Sequence, residues 1–69
     1  MKVGDKVVIV SRDYEGEKYT HYFDVGQICT IVKIEEDEYR LKGWFKEGRR
    51  TIYQTVYEEQ IKPYEVKTN

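Results

Sequence analysis

Hydrophobic and polar positions along this chain alternate with period two wherever they are regular, and no stretch repeats at helical spacing. The first segment, Lys2 to Val10, opens on a Gly4-Asp5 turn followed by a β-branched run, which predicts a strand. Alternation puts Val7 and Ile9 on one of its faces and Val8 and Val10 on the other. A second strand is predicted over 26–34 (Gly-Gln-Ile-Cys-Thr-Ile-Val-Lys-Ile). Strict alternation there separates Ile28, Val32 and Ile34 from Cys29 and Ile31, a conflict that a β-bulge would resolve. A third strand is predicted over 38–45, ending in Gly43-Trp44-Phe45, and a fourth over 50–57. Lys46-Glu47-Gly48-Arg49 between them is a tight turn in which Gly48 is available for positive φ.

The acidic run Glu35-Glu36-Asp37-Glu38 marks the turn before the third strand, and its charge opposes edge-to-edge pairing. Glu58-Glu59-Gln60-Ile61 predicts a single turn of 3-10 helix. A short closing strand over 62–66 follows, where Pro63 suits an edge position, and 67–69 form a frayed tail. The expected core is Val7, Ile9, Ile28, Ile31, Leu41, Val56 and Ile61. About five short strands without a long helix predict an all-β domain, a small barrel spanning 1–66.

Residues 11–26 break this pattern. Acidic and polar residues alternate there with tyrosines around Gly16, which predicts a long, partly ordered, hairpin-like loop. Loops longer than about 12–15 residues inside a compact domain are commonly functional. The plain alternative is that the tyrosines cover the open end of the barrel.

Composition narrows the functional classes. The chain has 69 residues, of which 39% are hydrophobic, 36% charged and 14% aromatic, enough apolar mass for a thin core. The net charge of -1 gives no whole-molecule attraction to nucleic acid or acidic lipid, so any such binding must come from a local patch. The single cysteine, Cys29, supplies neither a disulfide framework nor a cysteine-based zinc site. No signal-peptide pattern and no run of about 20 apolar residues is present, so a cytoplasmic, non-membrane protein is expected.

The order of features resembles the Src-homology-3-like (SH3-like) barrel. The opening Val3-Gly4-Asp5-Lys6-Val7-Val8-Ile9 is similar to the first strand of such domains. The strand over 26–34 follows a long first loop, as in that fold, and residues 56–64 resemble its fourth strand, 3-10 turn and last strand. The chain is also similar to small proteins of this fold encoded by bacteriophages and prophages, in which case the cytoplasm is the host's. The signalling version of the fold binds proline-rich peptides in an aromatic groove. Its pattern is only partly matched. Tyr14, Tyr19 and Tyr22 with Glu15, Glu17 and Asp24 resemble its acidic aromatic loop, but Trp44 lies at the end of the third strand rather than its start.

Candidate chemistry is sparse, and no catalytic residue, metal or cofactor is assigned. Cys29 sits among apolar neighbours and is read as a packing residue, because burial raises a thiol pKa. His21 is read as a solvated loop residue. The carboxylates at 35–38 lack the spacing and central glycine of a calcium loop. Two charged surfaces remain. One is the acidic loop, with Tyr14, Glu15, Glu17, Tyr19, Tyr22, Phe23 and Asp24, where tyrosines give contact area at low entropic cost. The other is a basic hairpin with Arg40, Lys42, Trp44, Lys46, Arg49 and Arg50, in which cations and aromatics suit phosphates and bases. Its plain alternative is a soluble hairpin with Trp44 packed on the barrel. The first expectation is a non-enzymatic protein-binding module, such as a phage-encoded inhibitor of a host or defence protein, with the loop tyrosines as anchors. A nucleic-acid-binding barrel using the hairpin is the second, and a structural part of a larger assembly the third. Opposite charge on the two surfaces also suits self-association.

Overall fold

The β-branched run after the Gly4-Asp5 turn forms strand β1 (Lys6–Ile9) in a computed structural model that describes residues 1–65. The chain continues through a long loop to β2 (Ile28–Glu35), β3 (Glu38–Phe45) and β4 (Arg50–Tyr57), then a 3-10 turn (Glu58–Gln60) and β5 (Ile61–Pro63). The strands make one antiparallel sheet in the order β4-β3-β2-β1-β5. The end of the expected domain at 66 and the expected frayed tail at 67–69 lie outside the described residues. No helix among the described residues is long and apolar enough to cross a membrane.

The outermost strands in this order, β4 and β5, are joined by only a three-residue turn. That short link brings the two edges together at one end, so the sheet curls around the residues on its inner face. Val7, Ile9, Cys29, Ile31, Leu41, Val56 and Ile61 form the buried core with Phe23, and Ile34, Tyr39 and Ile52 pack against it. Cys29 is thus the packing residue its neighbours implied.

Ile28, expected in this core, is 44% exposed. The register explains it. Ile31 pairs with Leu41 and Lys33 with Arg40, so the extra residue, Val32, forms a bulge in β2. The bulge moves Ile34, paired with Tyr39, onto the face already held by Cys29 and Ile31. Ile28 lies before the bulge and stays on the outer face, paired with Val8 of β1. Its place in the core is taken by Phe23, a loop residue outside the strand pattern.

Two local expectations also change. Positive φ in the β3–β4 turn belongs to Arg49 (51°) rather than Gly48. What Gly48 supplies is room: a Cβ there would come within 2.5 Å of the Phe45 ring. The closing strand is shorter than 62–66, ending at Pro63, although the Tyr64 N–H still donates to the Lys6 carbonyl (3.1 Å).

Candidate functional site

The long loop, 10–27, is pinned to the barrel by side chains that the sequence pattern did not mark. Its outer half is a small hairpin, with Tyr14 and Glu17 exchanging backbone hydrogen bonds of 2.8 and 2.9 Å. Positive φ at Glu15 (46°) and Gly16 (84°) matches the type I′ turn that joins such a pair. The ring of Tyr14 stacks on Tyr57, with centroids 3.8 Å apart and planes at 12°.

Beneath the loop lies Gln60, the last residue of the 3-10 turn, which is fully buried. Its amide nitrogen donates to the Asp13 carbonyl (3.2 Å) and to Thr20 Oγ1 (2.7 Å). Its amide oxygen accepts from the Tyr57 N–H (3.0 Å), and its own carbonyl accepts from Val10 N–H (2.8 Å). Thr20 Oγ1 in turn donates to the Arg12 carbonyl (3.1 Å). One side chain therefore ties together both arms of the loop and the end of β4. A buried polar group is tolerated only when so satisfied.

His21, expected in solvent, is 1% exposed. Its Nδ1 accepts from the Phe23 N–H (3.1 Å), so the ring proton sits on Nε2, which donates to the Ser11 carbonyl (2.8 Å). Burial lowers its pKa below the usual value, and the nearby Arg12 charge adds to this, against an opposing contribution from the Ser11 hydrogen bond. The next inward residue, Phe23, expected among the partner-binding residues of the loop, is fully buried and offers a partner no contact. It lies over Gly43 of β3, where a Cβ would come within 2.7 Å of the Phe23 ring and of Cys29 Sγ. Burial pushes the Cys29 thiol pKa up to about 11, so no nucleophilic thiolate forms there near neutral pH.

With Phe23 inside and Tyr14 stacked, Tyr19 (67%) and Tyr22 (57%) are the exposed loop aromatics. Tyr19 holds the Arg12 guanidinium over its ring at 5.0 Å, and Arg12 also reaches Asp24 at 4.0 Å. Glu15 and Glu17 stand exposed at the loop tip. Arg40, Lys42 and Trp44 project from the outer face of β3, Lys46 and Arg49 lie in the turn, and Arg50 is opposite Phe45 at the start of β4.

The loop and the hairpin, expected as separate surfaces, meet. Tyr22 stacks on Phe45 with centroids 5.6 Å apart. Gln27 Nε2 donates to the Trp44 carbonyl at 2.7 Å, while its Oε1 accepts from the Asp24 N–H at 3.1 Å. Asp24, Gln27, Ile28, Trp44 and Lys46 line a shallow hollow at this junction. Trp44 is 54% exposed there and does not pack into the barrel. Val25, in the turn between Asp24 and Gln27, is also exposed. The junction therefore has an apolar centre with one acidic and one basic residue at its edge.

Sequence reasoning found Tyr22, Asp24, Trp44 and Lys46, and it missed Gln27 and Ile28. Gln27 carries no pattern signal, and Ile28 was assigned to the core. Among the described residues, no group of three or more His, Cys, Asp or Glu side chains is placed to hold a metal ion. No protein-family model, curated protein or solved structure matches the chain.

Proposed function

We propose that this chain is a non-enzymatic protein-binding module of SH3-like fold, and that it binds through the junction of loop and hairpin. The strand order β4-β3-β2-β1-β5, the long first loop and the 3-10 turn before β5 support the fold assignment. The observation that carries the binding reading is the pair Ile28 and Trp44, both about half exposed around one hollow with Asp24 and Lys46 at its rim. An apolar centre within a polar rim is the usual anatomy of a protein interface, and tryptophan and tyrosine are its commonest energetic anchors. The loop is held in place by Gln60, His21 and Phe23 before any partner arrives, so little ordering entropy is left to lose on binding. Such a module acts by covering a surface of its target, as a phage-encoded inhibitor of a host or defence protein would.

The test is affinity capture followed by titration of the identified partner. Trp44→Ala and Tyr22→Ala should each weaken that partner by about 30-fold, the effect of an interface anchor. Both variants should keep the wild-type circular dichroism. Unchanged affinity in both would sink the proposal.

A further inference from the structure

The outer face of the sheet, away from the core, carries a second feature beside the loop junction. Alternation and register place the same face of every strand in rows across the sheet. One row runs Lys6, Thr30, Lys42, Tyr53, with Lys6 paired to Thr30, Thr30 to Lys42 and Lys42 to Tyr53. The next runs Lys33, Arg40, Thr55. Lys62 on β5 lies opposite Val8 on the same face. Two contacts confirm the shared face: Lys6 Nζ donates to Thr30 Oγ1 at 3.3 Å, and the Arg40 guanidinium sits 5.9 Å from the Tyr53 ring centroid.

Cations outnumber acids on this face, with Lys6, Lys33, Arg40, Lys42 and Lys62 against Glu35 and Glu38, although the whole chain is nearly neutral. Glu35 and Glu38 stand only at the far rim, around a hollow they share with Lys33, Arg40 and Thr55. Glu35 is occupied by Lys33 at 2.6 Å, a contact that holds its carboxyl below the usual range. Among the described residues, Lys6, Arg40, Lys42 and Lys62 enter no ion pair. Tyr53 is 47% exposed on the edge strand β4, beside Lys42 and Arg40.

We infer that the outer face of the sheet binds single-stranded nucleic acid, with Lys6, Arg40 and Lys42 on phosphates and Tyr53 stacking a base. A polyanion complements these unpaired cations, and the exposed ring gives a base a surface that a folded acidic protein does not require. Extended strands crossing this outer face also leave a single strand free to lie along a row, with no groove needed for a duplex. This surface adjoins the loop junction, whose Ile28 and Trp44 lie in the neighbouring row of the same face, but it does not include Tyr22.

Fluorescence anisotropy with labelled thymidine and uridine oligonucleotides of about 12 nucleotides tests it. With Lys6, Arg40 and Lys42 on phosphates, affinity should fall about 20-fold between about 50 and 200 mM salt. Arg40→Gln with Lys42→Gln should reduce that fall to about threefold. Tyr53→Ala should weaken binding about tenfold at every salt concentration. Tyr22→Ala should change nothing. Circular dichroism establishes that each variant is folded. The inference is overturned by no binding at the lowest salt, or by a double variant that binds like wild type. Displacement by polyglutamate as effective as by unlabelled oligonucleotide would assign the face to an acidic protein instead. Equal weakening by Tyr22→Ala would place the nucleic acid on the loop junction.

Discussion

Replacing Gly43 by alanine adds one methyl group at the point where the long loop rests on the sheet. The new Cβ would stand 2.7 Å from a carbon of the Phe23 ring, 2.7 Å from Cys29 Sγ and 3.1 Å from Gln27 Nε2. Real Cβ contacts are longer, so Phe23 and Cys29, both buried, must move. Overpacking of this kind costs about 1–3 kcal/mol. Each kcal/mol lowers the melting temperature of a domain this small by about 4–8 °C, so Gly43→Ala should melt at least about 4 °C below wild type. Phe23→Leu removes the ring carbon that the methyl strikes. In that background the alanine should cost less by about 1 kcal/mol, a coupling typical of residues in contact. The remaining cost belongs to Cys29. Urea denaturation of the four proteins in the cycle measures the coupling directly. Additive costs would show that the ring does not lie over Gly43, and that the loop is held some other way.

Two further perturbations address the loop and the register. His21 has its folded pKa lowered, chiefly by burial, so the unfolded chain takes up the proton first. Its contribution to stability is therefore complete above the unfolded value of about 6.5 and is lost as pH falls from there toward the folded pKa. Urea midpoints between about pH 7.5 and 5 should fall more for wild type than for His21→Gln, which cannot titrate, and parallel curves would refute the buried, neutral ring. At the bulge, Ile31→Ala should cost about 2–5 kcal/mol, whereas Ile28→Ser should stay within about 0.5 kcal/mol of wild type by the same assay. A comparable loss at Ile28 would mean that the β2 register is wrong.

The period-two pattern already contained most of the fold. Strands, turns and the 3-10 turn fall where alternation, glycine, proline and charge runs place them, because each of these signals acts within a few residues of chain. Most of the core was legible for the same reason. Even the conflict in β2 was visible as a conflict, since Cys29 and Ile31 cannot share a face with Ile34 without an extra residue. Local pattern does not say which side of the bulge turns inward. That choice depends on pairing with Leu41 and Tyr39 across the sheet.

The loop shows the limit more clearly. In sequence, Phe23 is one more aromatic in an acidic, tyrosine-rich segment, and His21 and Gln60 are isolated polar residues. Their burial follows from contacts between distant parts of the chain: Phe23 over Gly43, Gln60 on Asp13 and Thr20, His21 on Ser11. The same holds for the candidate surfaces. Composition identified an acidic loop and a basic hairpin, but only the folded chain joins them at Tyr22, Phe45, Asp24 and Lys46. Only the sheet register gathers Lys6 with Arg40, Lys42 and Tyr53 on one face. Sequence alone determined the elements and their order, since backbone geometry and turn chemistry are local. Tertiary structure decided which side chains share a surface, because burial and charge clustering are properties of residues far apart along the chain.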